Sequence, residues 1–163
     1  MSGRCLSLAL LLPLLAIMSA ARAATPLTST VTVGPIASSP VTVVLSPLPG
    51  FAALLQGGRR PILEIEGIEG SVAATSLSIA LFLNRPDAGP ATPTDAPDCI
   101  GVLFLLPVRG IVRPTGHALE LAQMAALDPT KPVRITLVPV AGVDGKPHET
   151  AIGIKAIYLA LEP

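Results

Sequence analysis

Short apolar runs recur along the chain, and each one ends at proline, glycine or asparagine. The clearest runs are residues 77–85 (LSIALFLNR), 100–107 (IGVLFLLP), 133–139 (VRITLVP) and 152–159 (IGIKAIYL). An apolar run of about four to eight residues between such breakers is typical of a buried strand. Because residues 100–107 are apolar on both faces, we expect this run to form a central strand.

Alternating patterns predict further strands. Residues 62–68 (ILEIEGI) alternate strictly, so Ile62, Glu64 and Glu66 share one face, which predicts a half-buried strand with a solvated carboxylate face. Less regular alternation predicts strands at residues 30–33, 41–46 and 117–121.

The remaining segments complete the predicted fold. Residues 51–55 are expected to form one helical turn within a loop, and residues 122–127 a short helix that ends before Pro129. Proline-rich residues 86–98 and residues 141–149 are expected to be surface loops. The pattern predicts an all-β fold, an antiparallel, jelly-roll-like β-sandwich of about eight strands with one short helix. We expect six apolar residues to share one core between its two sheets, namely Phe82, Phe104, Leu106, Ile135, Leu137 and Ile154. Replacing a buried Phe104 by alanine would then cost about 3–5 kcal/mol.

The first 23 residues have the organisation of a secretory signal peptide. Arg4 supplies the positive charge, residues 6–18 are apolar, and Ala21-Arg22-Ala23 is a small-residue cleavage site. A retained membrane anchor is the alternative, but the apolar run is shorter than the roughly 20 residues that span a bilayer. We therefore expect a single domain at residues 24–163, exported to the periplasm or secreted, with no membrane segment after cleavage.

The mature composition limits the classes of partner. Cleavage leaves 163 − 23 = 140 residues and removes Arg4 and Arg22, so the charge is 9 − 11 = −2. There is no basic patch, so nucleic acid is not expected as a partner. Cys99 is then the only cysteine and has no internal disulfide partner. It is buried, paired with another chain or bound to a metal, and its position beside an apolar run favours burial.

Few residues in the mature chain could support chemistry. A blue-copper site uses two histidines, one cysteine and a weak methionine ligand, and Cys99, His117, Met124 and His148 supply those types. Such sites usually place cysteine, the second histidine and methionine on one short loop, whereas Cys99 and His117 are 18 residues apart. We expect no catalytic residue and no firm metal ligand. Copper is the one cofactor that these residue types leave as an alternative to no cofactor.

Four of the strand segments resemble, in the same order, strands of the C-terminal domain of tyrosinases and polyphenol oxidases. Residues 79–84 match a family strand that reads roughly FDVFVN and keep its final asparagine. Residues 101–107 match GSFxxLP, residues 135–139 match VTLVP, and residues 152–157 match the final strand. Val108 and Val140 stand where that family often has histidine and arginine.

The resemblance covers about residues 31–162 and implies a β-sandwich that lies beside a tyrosinase catalytic domain and covers its copper site. The catalytic core of that family holds two coppers with six histidines, whereas this mature chain has only two. We therefore expect a non-enzymatic accessory domain that binds or shields a tyrosinase-type copper oxidase, mainly through loops 86–98 and 141–149. The alternatives are a copper carrier for such an enzyme and a free-standing structural or ligand-binding sandwich.

Overall fold

A computed structural model describes residues 24–69, 77–105, 115–140 and 152–162. The predicted signal peptide, loop 141–149 and His148 lie outside the described residues. The described elements are, in chain order, β1 (Thr25–Pro26), β2 (Val31–Ile36), β3 (Val41–Leu45), α1 (Phe51–Gln56), β4 (Pro61–Glu69), β5 (Leu77–Leu83), β6 (Cys99–Leu105), β7 (Thr115–Ala118), α2 (Leu121–Ala125), β8 (Val133–Val140) and β9 (Ile152–Leu161).

The strands form two antiparallel sheets, which confirms the predicted all-β sandwich. The five-stranded sheet has the order β1-β9-β4-β7, and β2 also pairs with β9. The four-stranded sheet has the order β3-β8-β5-β6. Strand β4 shows the predicted alternation, because Leu63 and Ile65 are fully buried while Glu64 and Glu66 are half-buried on the other face.

The main core lies between the two sheets. Along β5 and β8, alternate residues point into it, and Ile79, Leu81, Ile135 and Leu137 are fully buried there. Ile154 of β9 joins the same core, so the predicted burial of these β8 and β9 residues is confirmed. The other face of β5 carries a second, smaller cluster.

Strand β6 corrects one prediction, because it lies at an edge of its sheet and not at the centre. Leu103 and Leu105 point into the core, but Phe104 points outward and is 69% exposed. A run that is apolar on both faces shows only that neither face requires water; it does not specify which strands lie alongside. The expectation that Phe104 belongs to the core is therefore wrong, and Leu106 lies outside the described residues.

The short helices follow local signals. Helix α2 begins at Leu121 because Glu120 and Gln123 form a reciprocal capping box, in which the Glu120 amide donates to Gln123 Oε1 at 2.9 Å. The predicted strand at 117–121 consequently ends at Ala118. Helix α1 is a full helix of six residues instead of a single turn. No helix in the described ranges is long and apolar enough to cross a bilayer.

Candidate functional site

The 86–98 loop, expected to contact a partner, lies on the outer face of the four-stranded sheet. Ala88 is buried against Ala80 and Phe82 of β5 and Val138 of β8, and Ala96 is partly buried in the same cluster. Phe82 is fully buried, but on the face away from the main core, so the expectation that it lies between the two sheets is wrong. Part of the loop is used for packing, and only its outward side is available to a partner.

Hydrogen bonds fix the two ends of this loop together. The Leu83 amide donates to the Asp98 carbonyl at 2.8 Å, and Arg85 Nη1 lies 3.2 Å from each carboxylate oxygen of Asp98. Both side chains of this ion pair are about one-third exposed, so solvent screening leaves it a contribution of about 0–1 kcal/mol. The backbone bond and the packed alanines account for more of the loop's shape than the ion pair does.

Two polar side chains connect helix α2 to this region. Gln123 is buried, and its Nε2 donates to the Cys99 carbonyl at 2.8 Å. Asn84 has a left-handed backbone (φ 52°), accepts a hydrogen bond from the Arg134 amide at 2.9 Å and donates to the Ala126 carbonyl at 3.3 Å. The sequence predicted Asn84 as the end of a strand, but it did not predict these two side-chain hydrogen bonds, which we call the Asn84 clamp. The Glu-x-x-Gln spacing at residues 120–123 was the available signal for Gln123.

Beyond the loop, part of the sheet face carries exposed or half-exposed apolar side chains. Phe104 lies in one row with Ser78 and Val140, and Val102 lies in the next row beside Ala80. Val102 and Val140 are half-buried, and Phe104 is the most exposed aromatic among the described residues. We call Val102, Phe104 and Val140 the outer apolar face. An exposed apolar patch of this kind is a common feature of protein-binding surfaces.

Cys99 lies at the start of β6 and is half-buried on this outer side. Its Sγ donates to the Gly101 carbonyl at 3.7 Å, and burial is the main cause that raises the pKa of the thiol. A protonated thiol is a poor nucleophile and a poor metal ligand. The full burial favoured by the sequence is not found.

His117 lies on the opposite side of β6, between the two sheets. Its Cα pairs with that of the buried core residue Leu63, and its imidazole packs on Gly101, whose partner Leu81 is also in the core. A register irregularity between Leu81 and Phe82 separates the two sides, so Cys99 faces outward while Gly101 faces inward.

The structure does not bring the three described candidate copper ligands together. Cys99 lies on the outer face of the four-stranded sheet, whereas His117 belongs to the five-stranded sheet and contacts Gly101 from the inner side. Met124 packs from α2 against the main core, and His148 lies outside the described residues. No group of three or more His, Cys, Asp or Glu side chains suited to a metal occurs in the part of the chain that the structure describes.

The carboxylate face of the five-stranded sheet is held by local bonds. Tyr158 donates its hydroxyl to Glu66 Oε1 at 2.7 Å, and this hydrogen bond is the main cause that raises the pKa of Tyr158 to about 12. Burial, with a smaller effect of Glu66, raises the pKa of Glu64. Glu69 forms an exposed ion pair with Lys155. Glu66 and Glu69 are therefore engaged in local pairings on this face.

A shallow hollow of about 310 Å³ opens beside the Asn84 clamp. Its polar lining is largely occupied, because Asn84 uses both side-chain ends and Asp128 bonds Thr130 and Lys131. Of the lining groups, the exposed Arg134 side chain is the main one with no such bond among the described residues. This arrangement lacks the converging polar groups of a small-molecule site.

Comparisons with known proteins relate this geometry to one group of enzymes at the level of fold. No family model matches the sequence, and no curated protein matches it. A solved structure of recombinant latent aurone synthase (polyphenol oxidase), co-crystallised with hexatungstotellurate(VI) and soaked in H2O2, matches 79% of this chain and 25% of that chain, at 18% identity and a TM-score of 0.50. A second structure of recombinant latent aurone synthase (polyphenol oxidase) matches the same shares at 19% identity and a TM-score of 0.49.

A structure of Desmodium yellow mottle tymovirus matches 100% of this chain at 12% identity and a TM-score of only 0.38.

The match to the polyphenol oxidase structure confirms, as a likeness of fold, the resemblance inferred from the strand segments. The chain spans about a quarter of the length of those enzymes, which is consistent with a C-terminal domain.

Proposed function

We propose that this sandwich is a non-catalytic accessory domain that binds a tyrosinase-type copper oxidase and shields it. The observation that carries the proposal is the likeness of fold to one quarter of a polyphenol oxidase chain, at a TM-score of 0.50. A domain of this kind, if separate from the enzyme, would need a surface with which to hold it. Export with the oxidase, to the periplasm or outside the cell, is part of the same proposal.

The outer apolar face and the outward side of the 86–98 loop are the surface we assign to this contact. Phe104 is exposed at the edge of the sheet, and Ala91 and Thr94 are exposed on the loop. Exposed aromatic side chains contribute strongly to binding when a partner covers them. The loop is tied at both ends, so it loses little conformational entropy on binding.

The test uses a polyphenol oxidase prepared with and without the quarter of its chain that has this fold. We expect this protein to bind the truncated oxidase, slow its oxidation of catechol, and leave the intact oxidase unaffected because its own domain occupies the surface. Titration calorimetry and oxygen uptake measure the two effects. The proposal is refuted if the truncated enzyme shows no binding of this protein and no change in its rate.

Variants locate the contact. Phe104→Ser should weaken binding at least tenfold if the aromatic ring contributes about 1.4 kcal/mol or more. Leu121→Ser is the matched control, since Leu121 is 82% exposed on α2 and belongs neither to the outer apolar face nor to the loop. Ala91→Glu with Thr94→Glu tests the loop without removing Ala88, whose loss would uncover Phe82. Equal binding by all variants would exclude this surface.

Copper transport, the alternative function, is less well supported because Cys99 and His117 face opposite sides of β6. Titration with Cu(I) and Cu(II) separates the two functions, since a carrier must bind copper in the absence of the oxidase. We expect no turnover of catechol by the isolated protein, with or without added copper.

A further inference from the structure

His117 occupies the seam where the two sheets meet at one side of the sandwich. Strand β7, which carries it, ends the five-stranded sheet, and β6 ends the four-stranded sheet. An ideal Cβ on Gly101 of β6 would lie 2.8 Å from His117 Nδ1. The imidazole therefore fills the space that a side chain at position 101 would otherwise take. In this way the His117 ring forms a contact between the edge strands β7 and β6.

Among the described residues, no charged side chain faces the imidazole in this seam. Its Nε2 is buried and has no hydrogen-bond partner in the described part of the chain. From β4, Leu63 faces the ring, while Glu64 lies on the opposite face, over Gly116. From β6, Gly101 faces the ring, while Cys99 lies on the outer side.

Burial lowers the pKa of His117, and within the described part of the chain it is the cause of the shift. The neutral ring is therefore the form that the closed seam accepts. An imidazolium there would be a partly buried charge without a partner, which is unfavourable by several kcal/mol when burial is complete and by less at this half-buried site.

We propose that His117 is an acid-sensitive latch, whose protonation moves the imidazole out of the seam and releases strand β7 while the remaining strands stay paired. Strand β7 is suited to local release because it has only four residues, and its one described strand partner is β4. Short edge elements open at lower free energy than central strands do. This latch does not depend on the proposed oxidase binding, and it is tested on the isolated protein.

The direction of the pH effect follows from the lowered pKa. The opened strand exposes a histidine with an ordinary pKa of about 6.5, above that of the closed seam. The closed form is thus fully favoured above about pH 6.5 and loses stability as the pH falls toward the lowered pKa. One proton is taken up on opening, so the opening equilibrium increases by up to about tenfold per pH unit in that window.

Hydrogen exchange of the full chain, corrected for the intrinsic rate at each pH, measures this opening. Between pH 7.5 and 5 we expect protection of the β7 amides and of their β4 partners to fall, by an amount that the closed-state pKa sets and that reaches at most about thirtyfold. Protection of β8 and β5, at the centre of the other sheet, should stay constant within about twofold. An NMR titration of the His117 ring should give a pKa below 6.5. The ring signal of His117 is the one that disappears when His117 is substituted.

Two substitutions remove the titrating group and keep a similar volume. His117→Phe and His117→Gln should each abolish the pH dependence of β7 protection, and the second serves if the first fails to fold. Gly101→Ala should lower β7 protection at pH 7.5, because the new methyl group displaces the imidazole. Unchanged β7 protection at pH 5, the same pH dependence in a folded His117 variant, or a parallel loss in all strands would overturn the latch.

Discussion

The packing of Phe82 and Phe104 gives a sharp test of how the four-stranded sheet is covered. Both rings point to the same outer face, from the adjacent strands β5 and β6. Phe82 is 0% exposed beneath the 86–98 loop, whereas Phe104 is 69% exposed. Substituting each by alanine removes the same atoms from two very different environments.

The magnitudes follow from the exposures. Phe82→Ala leaves a cavity under the loop and should cost about 3–5 kcal/mol of unfolding free energy. Phe104 buries only about one-third of its surface, so Phe104→Ala should cost about one-third of the roughly 1.5–3 kcal/mol for full burial, or about 0.5–1 kcal/mol.

Urea denaturation followed by far-UV circular dichroism measures the difference, since the chain has no tryptophan and one tyrosine. With a slope of about 1–3 kcal/mol per molar urea, Phe82→Ala should lower the midpoint by about 1–5 M and Phe104→Ala by at most about 1 M. Equal losses, or a loss below 1 kcal/mol for Phe82→Ala, would refute the packing of the loop over this sheet. The sequence pattern alone predicted a large loss for Phe104.

Further predictions concern the backbone and the carboxylate face. Asn84→Gly should lower the free energy of unfolding by about 1–3 kcal/mol, because two side-chain hydrogen bonds are lost. Asn84→Ala should lower it by about 1–2 kcal/mol more, because φ at this position is 52°. Urea denaturation measures both variants, and equal losses would contradict the backbone contribution. Gly67→Ala should lower the unfolding free energy by at least about 1–2 kcal/mol, because φ is 62° and its Cβ would come 2.7 Å from the Lys155 side chain. The control Gly34→Ala, which meets nothing within 4 Å, should change it by under about 0.5 kcal/mol. Tyr158 should titrate near pH 12 by absorbance at 295 nm, and Glu66→Gln should lower that midpoint. Because this pKa is raised above 10, the stability it contributes is complete below pH 10 and is lost between about pH 10 and 12; a midpoint at 10 in the folded protein would show that the hydrogen bond is absent.

Local periodicity was sufficient for most of the strands and for the burial of Ile135, Leu137 and Ile154 in the main core. The period of two placed Leu63 and Ile65 inside and Glu64 and Glu66 outside, because successive side chains of a strand point to opposite faces. Breakers such as Asn84 and Pro129 similarly placed the ends of elements within a few residues. The resemblance in strand order, confirmed as a likeness of fold, depended on these same local patterns.

Strand neighbours and loop packing required the tertiary structure. The apolar run of β6 did not reveal that it lies at a sheet edge, since neighbours are chosen by segments far away in sequence. The burial of Phe82 depends on Ala88, whose position on the sheet is fixed only when the loop folds back. An alternating pattern predicts which side chains share a face, but it does not identify what covers that face.

The candidate copper ligands show the same limit most clearly. Strict alternation would place Cys99 and Gly101 on one face of β6, but the irregularity opposite Leu81 and Phe82 turns Cys99 outward. His117 then meets Gly101 from the other sheet, inside the seam. The sequence by itself determined which residue types were available and on which strands they lie. Only the pairing of strands distant in sequence decided that the thiol and the imidazole face opposite sides.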